Sequence, residues 1–338
     1  MTAVLPAIVV GGYLGAGKTT LVNRLLREAG GRRIAVMVND FGEIGIDADL
    51  IVSREDAVLN LAGGCVCCAV GSDLIEAVMA LPQRQPAFDL VLVETSGVAM
   101  PGTVARSLRL APGIEVDGVV VLADAEDVRE RASDRYVGDT IRQQLADADL
   151  LVLNKVDLVD DAALAAVRDF LDGAAPRARR VEAIEAAVPA DVVLGLTEAG
   201  SPPQSLARSG AGLFAGDPSA RRVGLRRPRA AAQQYQSAWL ALPDPTDVDR
   251  LARLLADPRH GVVRAKGVVR DTEGRAIVVQ AVGPRVRATP AAVGSAAAGP
   301  GDGRLVVIGL TGALDAGALA HALGVTVGTA GHTPLERG

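Results

Sequence analysis

Short runs of consecutive apolar residues recur through the first 200 positions, at 7–10, 34–38, 90–93, 119–122 and 150–153. They are rich in Val, Ile and Leu and do not alternate with polar residues, as expected of strands buried on both faces of a parallel sheet. Between them, residues 19–28, 73–81, 136–146 and 162–171 carry the spacing of helices, with Leu21, Leu25 and Leu26 on one face of the first. Strand–helix alternation of this kind predicts an α/β, doubly wound, mostly parallel sheet. Residues 199–229 break the pattern with Gly, Ser, Pro and Arg in no period and read as a flexible linker. From residue 234 a second pattern begins, with strands at 237–242, 262–269, 276–282 and 305–309, helices at 247–256 and 315–323, and a loop at 293–303. It predicts a smaller α+β C-terminal domain. The expected division is 1–198, a linker at 199–233, 234–325, and a disordered tail at 326–338.

Composition narrows the function classes. A chain of 338 residues with 49% hydrophobic content can bury two cores. No apolar run approaches the ~18 residues that span a bilayer. The start, MTAVLPAIVVGGY, lacks a basic n-region and runs into a strand, so no signal peptide is expected and the chain reads as soluble and cytoplasmic. A net charge of −5 gives no reason to expect nucleic acid or a membrane as partner. Of the 35 basic residues only Lys18, Lys155 and Lys266 are lysines, which suggests positions where a compact ammonium is required.

Two of those lysines fall in motifs. The first apolar run leads into Gly12-Tyr13-Leu14-Gly15-Ala16-Gly17-Lys18-Thr19, which fits G-x-x-x-x-G-K-[ST] between a strand and a helix. Glycines let backbone N–H groups cradle a phosphate, and the helix N-terminus adds partial positive charge. The first domain is therefore expected to be a P-loop NTPase, with Lys18 reaching the β- and γ-phosphates, Thr19 holding Mg2+ and Thr20 near the α-phosphate. The run at 150–153 ends in Asn154-Lys155-Val156-Asp157, an N-K-x-D tetrapeptide. The Asp157 carboxylate can accept from the N1–H and 2-amino groups of guanine, a donor pair adenine lacks, so GTP is the expected nucleotide. Asn154 can bond the base or brace the loop, and the Lys155 stem can cover the purine. A third run ends in Glu94-Thr95-Ser96-Gly97, where Glu94 can act on Mg2+ and the Gly97 N–H can sense the γ-phosphate. Lys18 and Glu94 are the catalytic candidates.

All three cysteines of the chain, Cys65, Cys67 and Cys68, lie within four positions. In a reducing compartment such clustering points to metal or redox chemistry, and clustered thiolates select Zn2+ and related ions. Three thiolates leave one tetrahedral position open. Asp40 and Glu43, in the segment VNDFGEIGID, are candidate donors for it. Buried apolar cysteines and a thiol–disulfide switch are the competing readings.

In that order, GGYLGAGKTT, VNDFGEIGID, GGCVCC, VETSGVAMP and LNKVDL resemble the CobW-like GTPases, relatives of the nickel-insertion GTPases of urease and hydrogenase maturation. QQLADADLLVLNK, VVRAKGVV and LVVIGL extend the resemblance into both domains. It implies a GTP-dependent metallochaperone delivering Zn2+ or Co2+ to a metal-requiring client protein; since no arginine finger can be assigned, slow intrinsic hydrolysis is expected, stimulated by metal, client or formation of a homodimer in the GTP- and metal-bound state. It carries over the phosphate loop at 12–20, the base reader at 154–157 and the C-x-C-C motif at 65–68. Two departures stand out: Asp40 occupies a position where the family usually has Glu, and the linker has no His-rich tract. Two other functions fit the same residues, a nucleotide-gated metal sensor that delivers nothing and a GTP-dependent enzyme with a thiol redox switch.

Overall fold

A computed structural model describes residues 4–38, 58–60, 72–84, 86–195, 235–291 and 303–329. The chain divides into two compact units, Met1–Leu194 with Val282–Arg285 and Gly195–Ala281 with Val286–Gly338. Among the described residues of the first, seven strands form one sheet: β1 (Leu5–Gly12), β2 (Ile34–Val38), β3 (Val58–Asn60), β4 (Leu90–Glu94), β5 (Ile114–Asp124), β6 (Leu150–Asn154) and β7 (Arg179–Glu182). Their order is β3-β2-β4-β1-β5-β6-β7, and every neighbouring pair is parallel. The helices are α1 (Lys18–Arg27), α2 (Ser72–Ala80), α3 (Pro101–Leu108), α4 (Val128–Ser133), α5 (Gly138–Ala146), α6 (Asp161–Ala174) and α7 (Ala190–Val193).

The apolar runs explain the layers. Ala7 and Val9 join a core cluster with Val78, Leu108, Ile141 and Leu145 from α2, α3 and α5. Ile8 and Val10, on the other face of the same strand, are also fully buried, as a sheet covered on both sides requires. Helix α1 buries Lys18, Leu21, Val22 and Leu25, spaced three and four apart on one stripe. Each such apolar side chain contributes roughly 1.5–3 kcal/mol by leaving water. Helix α6 is started by Asp160, whose side chain accepts from the Ala163 N–H at 2.7 Å.

The second unit is an antiparallel-type sheet backed by helices. Its described strands are β8 (Tyr235–Ala241), β9 (Val262–Arg270), β10 (Ala276–Val282), β11 (Arg285–Pro290), β12 (Arg304–Leu310) and β13 (Val327–Thr329), in the order β11-β10-β9-β12-β8-β13. Strand β12 is antiparallel to both β8 and β9. Leu251 and Leu255 of α8 (Val248–Ala256) and Leu319 of α9 (Ala316–Leu323) pack on Leu240, Val279, Leu305 and Val307. The α/β sheet followed by a smaller α+β unit is the predicted fold class.

Several elements depart from the sequence pattern. Within the stretch 326–338, expected to be a disordered tail, β13 pairs Val327 with Leu240 and Thr329 with Ala238. Strand β7 reads Arg-Arg-Val-Glu and buries only Val181, so it carries no apolar run. Helix α3 starts at a proline, which suits the first helical position because its missing N–H would be unsatisfied there anyway. The linker at 199–233 and most of the loop at 293–303 lie outside the described residues.

Candidate functional site

Strand β1 is buried along nearly its whole length, so the turn that follows it at residues 13–17 rises from a fixed base. Gly17, which caps α1, sits at φ 103°, a left-handed conformation that side chains avoid. A Cβ there would stand 2.5 Å from Nδ2 of Asn154. Helix α1 has no side-chain cap and no acidic residue in its first turn, so its leading N–H groups and dipole are available to an anion. Lys18 is buried, and its ammonium donates to the Tyr13 carbonyl of the same loop at 3.2 Å. A phosphate oxygen would be a stronger acceptor than that neutral carbonyl. Thr20 is exposed on the first turn of α1, while Ala16 is buried beneath the loop.

Glu94 ends β4, in register with Val10 of β1 on one side and Val38 of β2 on the other. Its side chain is buried, and Oε1 accepts from the Thr19 hydroxyl at 2.8 Å. The chain then turns past Gly97, where a Cβ would lie 2.5 Å from Cδ2 and 2.8 Å from the backbone nitrogen of Leu14. Only glycine lets this turn approach the phosphate loop so closely. Gln144 of α5, buried to 1% exposure, donates from Nε2 to the carbonyls of Gly97 at 3.0 Å and Ala99 at 2.8 Å. Sequence reading passed over Gln144, because nothing in its neighbours marks a helix residue that reaches a turn 45 positions upstream.

On the other flank, Asn154 ends β6 directly across from Asp124 of β5. Its amide donates to the Ala16 carbonyl at 3.0 Å and accepts from the Ala186 N–H at 2.8 Å. Of the two roles open to it, the geometry is that of a brace joining the phosphate loop to the loop after β7. That second loop was not anticipated. Glu185 and Ala186 hold φ of 50° and 53°, a region that costs non-glycine residues of order 1–3 kcal/mol each. Ala183 donates to Leu153 at 2.8 Å and accepts from Val156 at 3.3 Å, which fixes the loop beside the N-K-x-D turn. Lys155 is also left-handed, at φ 61°, and its ammonium lies 2.5 Å from Oδ2 of Asp124. That bond holds the lysine above its ordinary pKa, against the opposing effect of burial. Asp157 follows on an exposed turn.

The structure thus brings Gly12, Gly15, Ala16, Gly17, Lys18, Thr19 and Thr20 together with Glu94 and Gly97 on one flank and Asn154, Lys155 and Asp157 on the other. All stand at the carboxyl ends of β1, β4 and β6, and β1 lies between β4 and β5, where the strand order reverses and open α/β sheets bind ligands. Asp40, Glu43, Cys65, Cys67 and Cys68 lie outside the described residues. Among the described residues, no group of three or more His, Cys, Asp or Glu could hold a metal ion. Nor, among them, is any helix long and apolar enough to cross a membrane.

A buried strand, a glycine-rich turn and an uncapped helix at the centre of a parallel sheet define a P-loop nucleotide-binding protein. Residues 6–182 match the CobW/HypB/UreG nucleotide-binding domain, and residues 235–326 match the cobalamin synthesis protein CobW C-terminal domain. The chain belongs to the CobW family. It is similar to the zinc chaperone CobW of Sinorhizobium sp., with 31% identity over 322 residues covering 83% of this chain and 86% of that one. The zinc chaperone CobW of Pseudomonas aeruginosa is 37% identical over 226 residues, 57% of this chain and 60% of that one. The zinc-regulated GTPase metalloprotein activator 1 of Schizosaccharomyces pombe is 33% identical over 177 residues, 49% of this chain and 43% of that one. Members of the family are GTPases.

Proposed function

We propose that this protein is a cytoplasmic GTPase that loads Zn2+ at Cys65, Cys67 and Cys68 and passes it to a client protein when GTP is hydrolysed. The observation that carries the GTPase part of the reading is the 2.8 Å hydrogen bond between the Thr19 hydroxyl and the Glu94 carboxylate. A phosphate loop that places a hydroxyl against a strand-end carboxylate offers two hard oxygen donors, which fit Mg2+. When bound with the triphosphate, Mg2+ neutralises charge on the β- and γ-oxygens. Lys18 reaches those oxygens by giving up the Tyr13 carbonyl. Gly97, pressed on Leu14, offers its N–H to the γ-phosphate, and Gln144 engages the carbonyls of Gly97 and Ala99 in that turn. Asn154 holds the loop floor while Asp157 reads guanine and the Lys155 stem covers the ring.

Three thiolates at 65–68, with Asp40 or Glu43 completing the set, suit zinc as cargo, and the names of the relatives support zinc over cobalt. In this reading GTP favours the metal-holding state and hydrolysis favours release, so metal binding and nucleotide state are coupled reciprocally. Intrinsic turnover is slow and is raised by metal, by pairing of two copies or by the client.

The test is hydrolysis and transfer together. Purified protein with Mg2+ should hydrolyse GTP in preference to ATP, and Lys18→Ala should abolish turnover. Zinc bound stoichiometrically should pass to a competing apo-protein faster during GTP turnover than with a non-hydrolysable analogue. Equal use of ATP and GTP, or transfer indifferent to hydrolysis, would overturn the proposal.

A further inference from the structure

Asp124 has no part in the phosphate-loop, strand-end or N-K-x-D motifs, yet it is buried to 7% exposure at the edge where the nucleotide is proposed to sit. Both of its oxygens are engaged. Oδ2 lies 2.5 Å from the Lys155 ammonium, and Oδ1 accepts the Glu126 N–H at 3.0 Å. Its backbone is fixed as well, because Asp124 is in register with Asn154 and the next residue, Ala125, donates to the Asn154 carbonyl at 2.9 Å. The carboxylate is therefore a rigid anchor built into the sheet, and the Lys155 ammonium is tied to it.

The tie matters because of where Lys155 starts. Its backbone is left-handed at φ 61°, and its side chain keeps 31% exposure although its head is bonded inward. The head is held while part of the side chain stays exposed. A free lysine carries about 2 kcal/mol of rotamer entropy, which a ligand stacking on it would have to overcome. A stem already stretched between a fixed Cα and a fixed carboxylate loses little more when a purine arrives.

We propose that Asp124 is a positioning residue for base recognition: it pins the Lys155 ammonium so that the stem forms a preset wall against the purine face. This rests on the guanine-site reading above and adds a residue that the N-K-x-D motif does not contain.

The experiment compares a ligand with a base and one without. GDP and inorganic tripolyphosphate are titrated by calorimetry into the full chain and its Asp124→Asn, Lys155→Ala and double variants, with thermal unfolding followed alongside. Having to order a freed lysine, which carries about 2 kcal/mol of rotamer entropy, corresponds to about tenfold weaker GDP binding. Asp124→Asn should show that drop with tripolyphosphate affinity unchanged in protein that thermal unfolding shows to be folded, and should add nothing to Lys155→Ala in the double variant. GDP affinity equal to the parent's would overturn the proposal. A parallel fall in tripolyphosphate affinity would overturn it too, since that marks a general structural role, as would additive losses in the double variant. Failure of the guanine reading looks different: the unsubstituted protein would bind ADP as well as GDP.

Discussion

Replacing Asn154 by Ala removes a brace whose two ends are both visible. The amide joins the Ala16 carbonyl at 3.0 Å to the Ala186 N–H at 2.8 Å, and Ala186 has no exposed surface. Water entering from the crevice can satisfy Ala16, but the buried Ala186 donor is left without its acceptor, at a cost of about 1–3 kcal/mol. Adding the net loss of the other bond, about 0.5–1.5 kcal/mol, gives roughly 3 kcal/mol in all. The left-handed residues Glu185 and Ala186 lose the bond that holds them and the loop opens locally. Hydrogen exchange read by mass spectrometry should show protection across residues 183–187 falling by about a hundredfold, since 1.4 kcal/mol is tenfold. GDP affinity should fall by about tenfold or more, because the phosphate loop is no longer tied to the base side. Asp157→Ala is the contrast: an exposed side chain whose loss leaves exchange at 183–187 unchanged while removing the preference for GDP over ADP. If Asn154→Ala exchanges and binds GDP like the parent, the brace is incidental and the reasoning fails.

Thr19→Ala removes the hydroxyl that meets Glu94 at 2.8 Å, and should weaken GTP binding in Mg2+ by more than tenfold, with little change when the metal is chelated; equal losses in both buffers would contradict the role. Gly97→Ala forces a Cβ to 2.8 Å from the Leu14 nitrogen, a backbone atom that cannot swing aside, so affinity for a GTP analogue should drop about tenfold while GDP binding holds, as competition titration would show. In the second unit, Asp257 is held well below its ordinary pKa of 3.8, first by the Arg259 guanidinium and then by the Arg259 N–H. A depressed carboxylate supports the fold above its unfolded pKa and loses that support as pH falls through the folded value. Asp257→Asn should therefore flatten the acid limb of the stability profile below about pH 4; an unchanged limb in urea titrations would refute it.

Where the phosphate-loop, strand-end and N-K-x-D motifs sit in the fold was legible because each is a continuous stretch at the end of an apolar run. The apolar runs that became β1, β2, β4, β5 and β6 are readable for the same reason, since burial on both faces leaves no polar position to interrupt them. Strand β7 was hidden because an edge strand needs only Val181 inside. Asp124 and Gln144 were hidden for another reason. Asp124 acquires its partner through the register of β5 against β6, and Gln144 through the packing of α5 on the turn after β4, neither of which a local pattern encodes. The loop at 183–187 has no glycine, although two of its residues are left-handed, so its chain conformation contradicts local propensity and depends on Asn154.

The central claim is that the terminal phosphate of GTP controls the hold on zinc. Zinc affinity of the full chain, measured by competition with a chromophoric chelator, decides it when the protein is loaded in turn with a non-hydrolysable GTP analogue and with GDP. Zinc should bind at least about tenfold tighter in the analogue-bound state, and the analogue should gain the same factor when zinc is present. Identical zinc affinities in the two nucleotide states would contradict the account.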